Sequence, residues 1–288
     1  MLYDSYSALR VSVNGGVAHV TIDHPPVNML DAALVGDLGR FVASVREDRD
    51  VRVVVLQSAN PEFFLAHVDF SFMEHPEEFG ALAALVPGDG TLNPMQSLHL
   101  ALRSLPQLTI AKLRGRLRGA GNELAMAADL RFAARGETWL SQVESRIGII
   151  PGGGGTQLLT RLVGRARALE VILGGDLYDA ATAELYGWIN LAVAPGELDE
   201  QVDAFARRVA ERRPEQIAAA KAAVDGALAG DLAAAFAREG EALAMVYPAP
   251  DETVELVRRA VAAGAQSREG ELDLEGAIAR AGSQAVTA

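Results

Sequence analysis

The stretch Ile149–Gly164 reads IIPGGGGTQLLTRLVG, with four consecutive glycines between an apolar run and a helical pattern. Such a run costs backbone entropy and persists where the main chain must approach something closely. Phosphate binding is the first chemistry it suggests. A Walker-type loop, however, needs a lysine and then Ser or Thr after its last glycine, and Thr156 follows Gly155 directly. The dinucleotide fingerprint fails too, because Leu158 stands three residues beyond Gly155 where a glycine is required. What remains is a tight turn that launches a helix carrying Leu158, Leu159, Leu162 and Val163 at three-and-four spacing.

Other chemistries are narrowed by composition. The chain has 288 residues and no cysteine, which removes disulfides, thiolate metal sites and cysteine nucleophiles together. His19, His24, His67, His75 and His99 show no H-x-x-x-H or H-E-x-x-H spacing, so no metal is expected. A net charge of −12, from 38 acidic and 26 basic residues, disfavours general affinity for nucleic acid. Local arginines or helix N-termini can still hold a small phosphorylated ligand. The start MLYDSYSALRVSV lacks a basic region followed by an apolar run, and no apolar stretch approaches the ~20 residues of a membrane span. The expectation is a soluble, cytoplasmic protein.

The elements that must position the chemistry can be read in order. LRVSV and VAHVTID alternate around a glycine pair and predict a hairpin. Asp31 caps a helix over 32–46 with an apolar stripe of Leu34, Leu38, Phe41, Val42 and Val45, and VRVVVLQS reads as a strand buried on both faces. Residues 74–90 read as a mobile excursion or a short lid helix. Then follow a helix over 94–104, the strand LTIAKL, a helix in NELAMAAD, the short strand LRFAA, helices over 156–163 and 166–173, a segment ATAELYG and the strand WINLAV. Beyond Leu198 long alanine-rich helices replace strands. The expected organisation is therefore 1–197 and 198–288, with a polar tail from about Gln266 that packs on a neighbour or frays.

With these elements placed, NPEFFLAHVDF at 60–70, GRLRGAGNELAMAADLRFAA at 115–134 and the long block from Val143 to Val193 together resemble the crotonase superfamily, the enoyl-CoA hydratase/isomerase family. The P-G-x-G-G-T-Q core, the R-L-V-G that follows and the G-W-I-N-x-V ending carry most of the likeness. The resemblance implies an α/β fold, a spiral of repeated strand-strand-helix units, with a C-terminal helical region that assembles trimers or hexamers. It also implies acyl-CoA substrates, with coenzyme A entering as part of the substrate and no other cofactor. Two backbone N–H groups would stabilise the thioester enolate, gaining most in a dry, prearranged site. By motif position these fall on Ala66 and Ala120, the latter at a helix start. Glu123 and Glu144 fall on the two hydratase glutamates, the first holding and activating water, the second delivering a proton to the α-carbon. Two carboxylates in one small apolar site do not readily both ionise, which supplies an acid and a base. Asp69, Gly152 and Gly153 would line the acyl site, the glycine run shaping the pocket without binding a nucleotide phosphate.

Three departures from the pattern stand out. His67 occupies the glycine position of A-G-x-D, where an imidazole can bond the substrate or act as acid or base, although a substituted loop residue more often points away. Arg114, Arg116 and Arg118 alternate on one strand and either read an acidic acyl group or CoA phosphate, Arg118 foremost, or pair with carboxylates at a surface or interface. Val143 replaces the proline before the second glutamate. The expected activity is hydration of a 2-enoyl-CoA; an isomerase of the same fold and a non-catalytic CoA-binding relative are the alternatives.

Overall fold

The computed structural model describes residues 5–227 and 248–283, together with Tyr3, Ala233 and Ala244. Its centre is one eight-stranded sheet. β1 (Leu9–Asn14) and β2 (Val17–Ile22) form the expected hairpin, and β2 then runs parallel to β3 (Val53–Ser58), β3 to β5 (Leu108–Arg118), and β5 to β6 (Leu130–Ser141). β4 (Phe63–Leu65) adds beside β5, while β7 (Tyr178–Asp179) and β8 (Leu191–Val193) both pair with β6.

The parallel steps need crossovers, and the helices supply them on one face. α1 (Ala32–Glu47) starts where Asp31 accepts from the Leu34 N–H at 3.0 Å, and it buries Leu34, Leu38, Phe41, Val42 and Val45. α2 (Ser71–Glu74), α3 (Pro76–Ala81) and a 3-10 turn (Leu82–Leu85) occupy the stretch read as an excursion or lid. α4 (Pro94–Arg103) begins with a reciprocal cap between Asn93 and Gln96. α5 (Ala120–Ala127) leaves the end of β5, and α6 (Gly155–Gly174) follows the glycine run, kinked where Gly164 takes φ +78°. α7 (Ala180–Tyr186) leads to β8.

Both central strands outrun the segments LTIAKL and LRFAA. The β5–β6 register breaks at Gly115, with the extra residues on β6 between Ala133 and Thr138, and Gly115, at φ +71°, lies so close to the Glu62 carbonyl that a Cβ there would lie 2.2 Å from its carbon. The strand resumes beyond it and carries Arg116 and Arg118 toward α5. WINLAV shortens to β8, because the main-chain N–H groups of Trp188 and Ile189 both turn back to the Ala183 carbonyl of α7, at 2.9 and 3.4 Å.

The composition change at Leu198 ends the strands without ending the core. α8 (Leu198–Ala210) lays Leu198, Val202 and Ala206 on the back of the sheet against Val17, Val53, Val55 and Ile110, forming a third layer. α9 (Pro214–Ala227) is tied in where Lys221 meets Asp129 at 2.6 Å. The C-terminal tail corrects the expectation of fraying. α10 (Asp251–Ala262), α11 (Arg268–Glu271) and α12 (Leu274–Ser283) fold back on their own chain and bury Val257, Leu274 and Ile278 against Phe70, Val143 and Ile147. Part of the expected alanine-rich helical stretch, 228–247, lies outside the described residues apart from Ala233 and Ala244. Among the described residues no helix is long and apolar enough to cross a membrane.

Candidate active site

The glycine run does bind an anion, and the anion belongs to the protein. Glu123, on the first turns of α5, accepts from the Gly153 N–H at 3.0 Å and from the Gly155 N–H at 2.7 Å, so the N-terminus of α6 cradles a carboxylate where a phosphate was first considered. The turn itself is held from behind. Asn93 donates to the Gly152 carbonyl at 2.7 Å, and His99 donates through Nδ1 to the Gly153 carbonyl at 2.6 Å.

Glycine is required here by space. A Cβ on Gly153 would sit 2.3 Å from Glu123 Oε2 and 3.1 Å from the Met95 Cβ. Gly153→Ala is therefore expected to push the Glu123 carboxylate off its cradle and to lower turnover about 10- to 100-fold while the chain stays folded. Steady-state rates beside a circular-dichroism melt check this.

Glu144 stands 21 residues after Glu123 and reaches the same place by another route. It opens the 3-10 turn Glu144–Ile147 that follows β6, and parallel pairing carries the ends of β5 and β6 to one edge, where the Gly119 N–H donates to the Ser141 carbonyl at 3.0 Å. Gly119 has φ +49°, and a Cβ on it would lie 2.8 Å from Glu144 Oε1. Gln142 points its amide nitrogen at the two Glu144 oxygens, 3.3 and 3.4 Å away. Behind it the Asn122 amide donates to Gln142 Oε1 at 2.5 Å, and Trp188 donates to Asn122. This buried relay fixes which end of each amide faces forward.

Glu123, Glu144, Ala120, Asp69, Gly152 and Gly153 all line one cavity of about 110 Å³, walled by Val68, Phe72, Met73, Phe79, Met95, Ile149 and Ile150. Ala120 begins α5 with no side-chain cap, so its N–H is one of those that a helix leaves without an internal carbonyl.

Three expected residues lie elsewhere. Ala66 is fully buried and its N–H donates to the Val27 carbonyl at 3.2 Å; it does not line the cavity. Peptide groups along this extended segment alternate in direction. The Ala66 carbonyl accepts from the Arg118 N–H at 3.2 Å and the His67 carbonyl from the Leu30 N–H at 2.8 Å. In a trans peptide the Val68 N–H opposes the His67 carbonyl, so it points away from Leu30 toward the side of Arg118 and Ala120. Of Ala66, His67 and Val68, it is thus Val68, two places along from Ala66, that lines the cavity. A left-handed Asn28 (φ +53°) sets up the contact by bonding the Phe63 and Phe64 carbonyls, which shapes the Val27–Leu30 loop.

His67 is also corrected as a substrate-binding residue. Its ring is buried, stacked on Phe70, and directed at the Val68 carbonyl and at Glu271. Arg118 does not read an acyl group, because it is fully buried and paired with Glu275 at 2.8 Å. Of its two neighbours, Arg114 meets Glu137 and Asp199, and Arg116 lies over the Trp139 ring. The residues that sequence reasoning missed are Val68, Asn93, His99, Asn122, Gln142 and Glu271. The NxxQ capping pattern at Asn93 was the one local signal among them.

His99 gives the site a pH signature. Burial pushes its pKa down to about 4 from an ordinary 6.5, although the Gly153 carbonyl pulls slightly upward. Its Nε2 is buried and has no hydrogen-bond partner among the described residues, so a second proton would be an uncompensated charge. The unfolded chain takes that proton first. His99 thus leaves stability intact above about pH 6.5 and removes up to about 3 kcal/mol as pH falls toward 4. His99→Gln, which retains a donor for Gly153, is expected to flatten that part of a melting-temperature profile.

Strands whose C-terminal ends deliver both carboxylates, followed by helices that fold back over them, make this a crotonase-type fold. The enoyl-CoA hydratase/isomerase family model matches residues 12–252, and the chain belongs to that family. It is 32% identical over 243 residues to the Bos taurus protein named enoyl-CoA hydratase domain-containing protein 2, mitochondrial, covering 83% of this chain and 79% of the relative. It is 28% identical over 239 residues to the short-chain-enoyl-CoA hydratase of Clostridium acetobutylicum, covering 83% and 88%. A crystal structure from Streptomyces avermitilis, provisionally assigned as an enoyl-CoA hydratase, superposes with a TM-score of 0.90 at 44% identity, covering 96% of this chain and 99% of that one.

Proposed function

We propose that this protein hydrates short, apolar 2-enoyl-CoA thioesters. The observation that carries the reading is the convergence of Glu123 and Glu144 on one small apolar cavity beside the open N-terminus of α5. In this reading the thioester oxygen lies between the N–H groups of Val68 and Ala120, which stabilise the charge that develops when water adds. Glu123, braced by the glycine turn, holds the water and takes its proton. Glu144, oriented by Gln142, delivers a proton to the α-carbon. Water adds its oxygen to the β-carbon and the double bond becomes the new carbon–hydrogen and carbon–oxygen bonds, with no redox change.

The short acyl chain follows from volume. A cavity of about 110 Å³ walled by Phe72, Phe79, Met95 and Ile150 takes a few carbons, and the name of the Clostridium relative points the same way. The test is loss of the conjugated absorbance of crotonyl-CoA on adding the protein, compared with decenoyl-CoA. Faster hydration of the longer substrate would remove the chain-length assignment, and inertness on both would remove the hydratase reading.

A further inference from the structure

The loop that carries Val68 is gripped from a distant part of the chain. His67 Nε2 lies 2.9 Å from Glu271 Oε1, a partner 204 residues away, and its Nδ1 lies 2.7 Å from the Val68 carbonyl. On the other side of Val68, Asp69 accepts from the Gln266 side chain at 3.2 Å. Gln266 in turn donates its backbone N–H to Glu271 Oε1 at 2.6 Å. Both residues flanking Val68 are therefore tied to the same C-terminal turn, and the Asp69 N–H is held by the Leu30 carbonyl at 3.1 Å.

The charges around the imidazole nearly close on themselves. Facing it are Glu271 of α11, Arg118 of β5, 3.6 Å from the second Glu271 oxygen, and Glu275 of α12 behind Arg118. Asp69 sits on its own loop, bound to Gln266. His67, Arg118 and Glu271 are each essentially inaccessible. Both ring nitrogens of His67 face oxygens, a carbonyl and a carboxylate, that can only accept. A neutral ring satisfies one of them; an imidazolium satisfies both.

Resting on the hydratase reading above, we propose that His67 and Glu271 form a positioning pair, through which the C-terminal segment sets the orientation of Val68 for the thioester oxygen. His67 touches no substrate. It acts by holding the Val68 carbonyl, and Glu271 acts by keeping the ring doubly donating. Burial, the largest single influence, lowers the pKa of His67, but the charge and hydrogen bond of Glu271 and the Val68 carbonyl together bring the net direction upward. For Glu271 burial pulls upward, and His67, the Gln266 N–H and Arg118 together bring the net direction down. The pair is therefore complete at neutral pH, is lost as pH rises through the raised folded-state value of His67, and is lost at the acid end only as pH falls through the lowered folded-state value of Glu271.

The experiment compares Glu271→Gln with Glu275→Gln in the full chain. Both remove a carboxylate that pairs with Arg118, but only the first faces His67. Glu271→Gln is expected to lower kcat on crotonyl-CoA about 10- to 100-fold with little change in KM, and to move the alkaline limb of the pH profile to lower pH. Glu271→Asp, which keeps the charge, should recover part of the loss. Glu275→Gln should cost thermal stability and leave the limb in place. Equal kcat losses with an unmoved limb in both variants would overturn the proposal and make the cluster merely structural.

Two measurements on the wild type stand apart from turnover. The His67 ring should titrate above pH 6.5 by nuclear magnetic resonance, and the Leu30 and Asp69 amides, which bond the His67 and Leu30 carbonyls, should lose exchange protection as it does. A ring already neutral at pH 6.5, or exchange at Leu30 and Asp69 indifferent to its titration, would overturn the proposal whether or not any variant folds. A wild type inert on every enoyl-CoA tested would remove the hydratase reading instead, and these two measurements would then decide whether the pair holds the loop.

Discussion

Glu144→Gln is expected to abolish both hydration of crotonyl-CoA and double-bond migration on a 3-enoyl-CoA, since protonation at the α-carbon is common to both reactions. Removing a positioned acid or base costs about 10²- to 10⁴-fold, well outside assay error. Glutamine preserves the shape that the Gln142 amide and Gly119 enclose around residue 144, so the loss reports chemistry and not collapse. Glu123→Gln is expected to remove hydration and to leave whatever migration the wild type performs, because water activation belongs to hydration alone. One qualification is built into the structure. Glu123 also anchors the glycine turn through two N–H donors, and glutamine keeps a carbonyl oxygen to receive them. Binding of acetoacetyl-CoA measured beside turnover separates a displaced turn from a missing base. Full hydration by Glu123→Gln would end its assignment to water.

The second large effect concerns stability. Arg118→Ala is expected to destabilise the protein by about 3–5 kcal/mol, because it leaves buried Glu271 and half-buried Glu275 facing an empty space where a guanidinium stood. Arg118 also donates to the Glu271 backbone carbonyl at 3.0 Å, so the truncation removes main-chain support as well. A melting temperature lower by on the order of 10 °C is the expected reading. Selective loss of activity on acidic acyl groups is not expected, since the guanidinium lies outside the acyl cavity. A variant with unaltered stability would mean that the arginine contributes little to the cluster.

Much of this architecture is legible in the sequence because its signals are local. The glycine pair between alternating strands, the Asp31 cap and the apolar stripe of α1 each act within a few residues. Glu123 and Glu144 are legible for a different reason, the motif blocks around them. What the sequence conceals is set between segments. Whether Ala66 or Val68 offers its N–H depends on which peptide the Val27–Leu30 loop engages, and nothing in LAHVD carries that information. The alternating arginines 114, 116 and 118 promise one face with one purpose. The register break at Gly115 and unrelated neighbours give them three separate environments. His67 resembles a catalytic substitution until its partner, far along the chain, is known. The tail reads as fraying from its polarity, yet Leu274, Ile278 and Ala281 are spaced to bury one side, and they do.

That long-range tie has a consequence for how the protein is made. At a translation rate of about 5–20 residues per second, roughly 10–40 s separate the synthesis of His67 from that of Glu271. During that interval the nascent sheet carries an imidazole and a guanidinium whose buried partners do not yet exist, beside the apolar surface of Phe70, Val143 and Ile147. The cavity of Glu123 and Glu144 is therefore among the last parts of the molecule to mature, and a ribosome stalled after α9 would hold a folded spiral with an unfinished, sticky mouth. Chaperone demand should rise and fall with the emergence of residues 251–283.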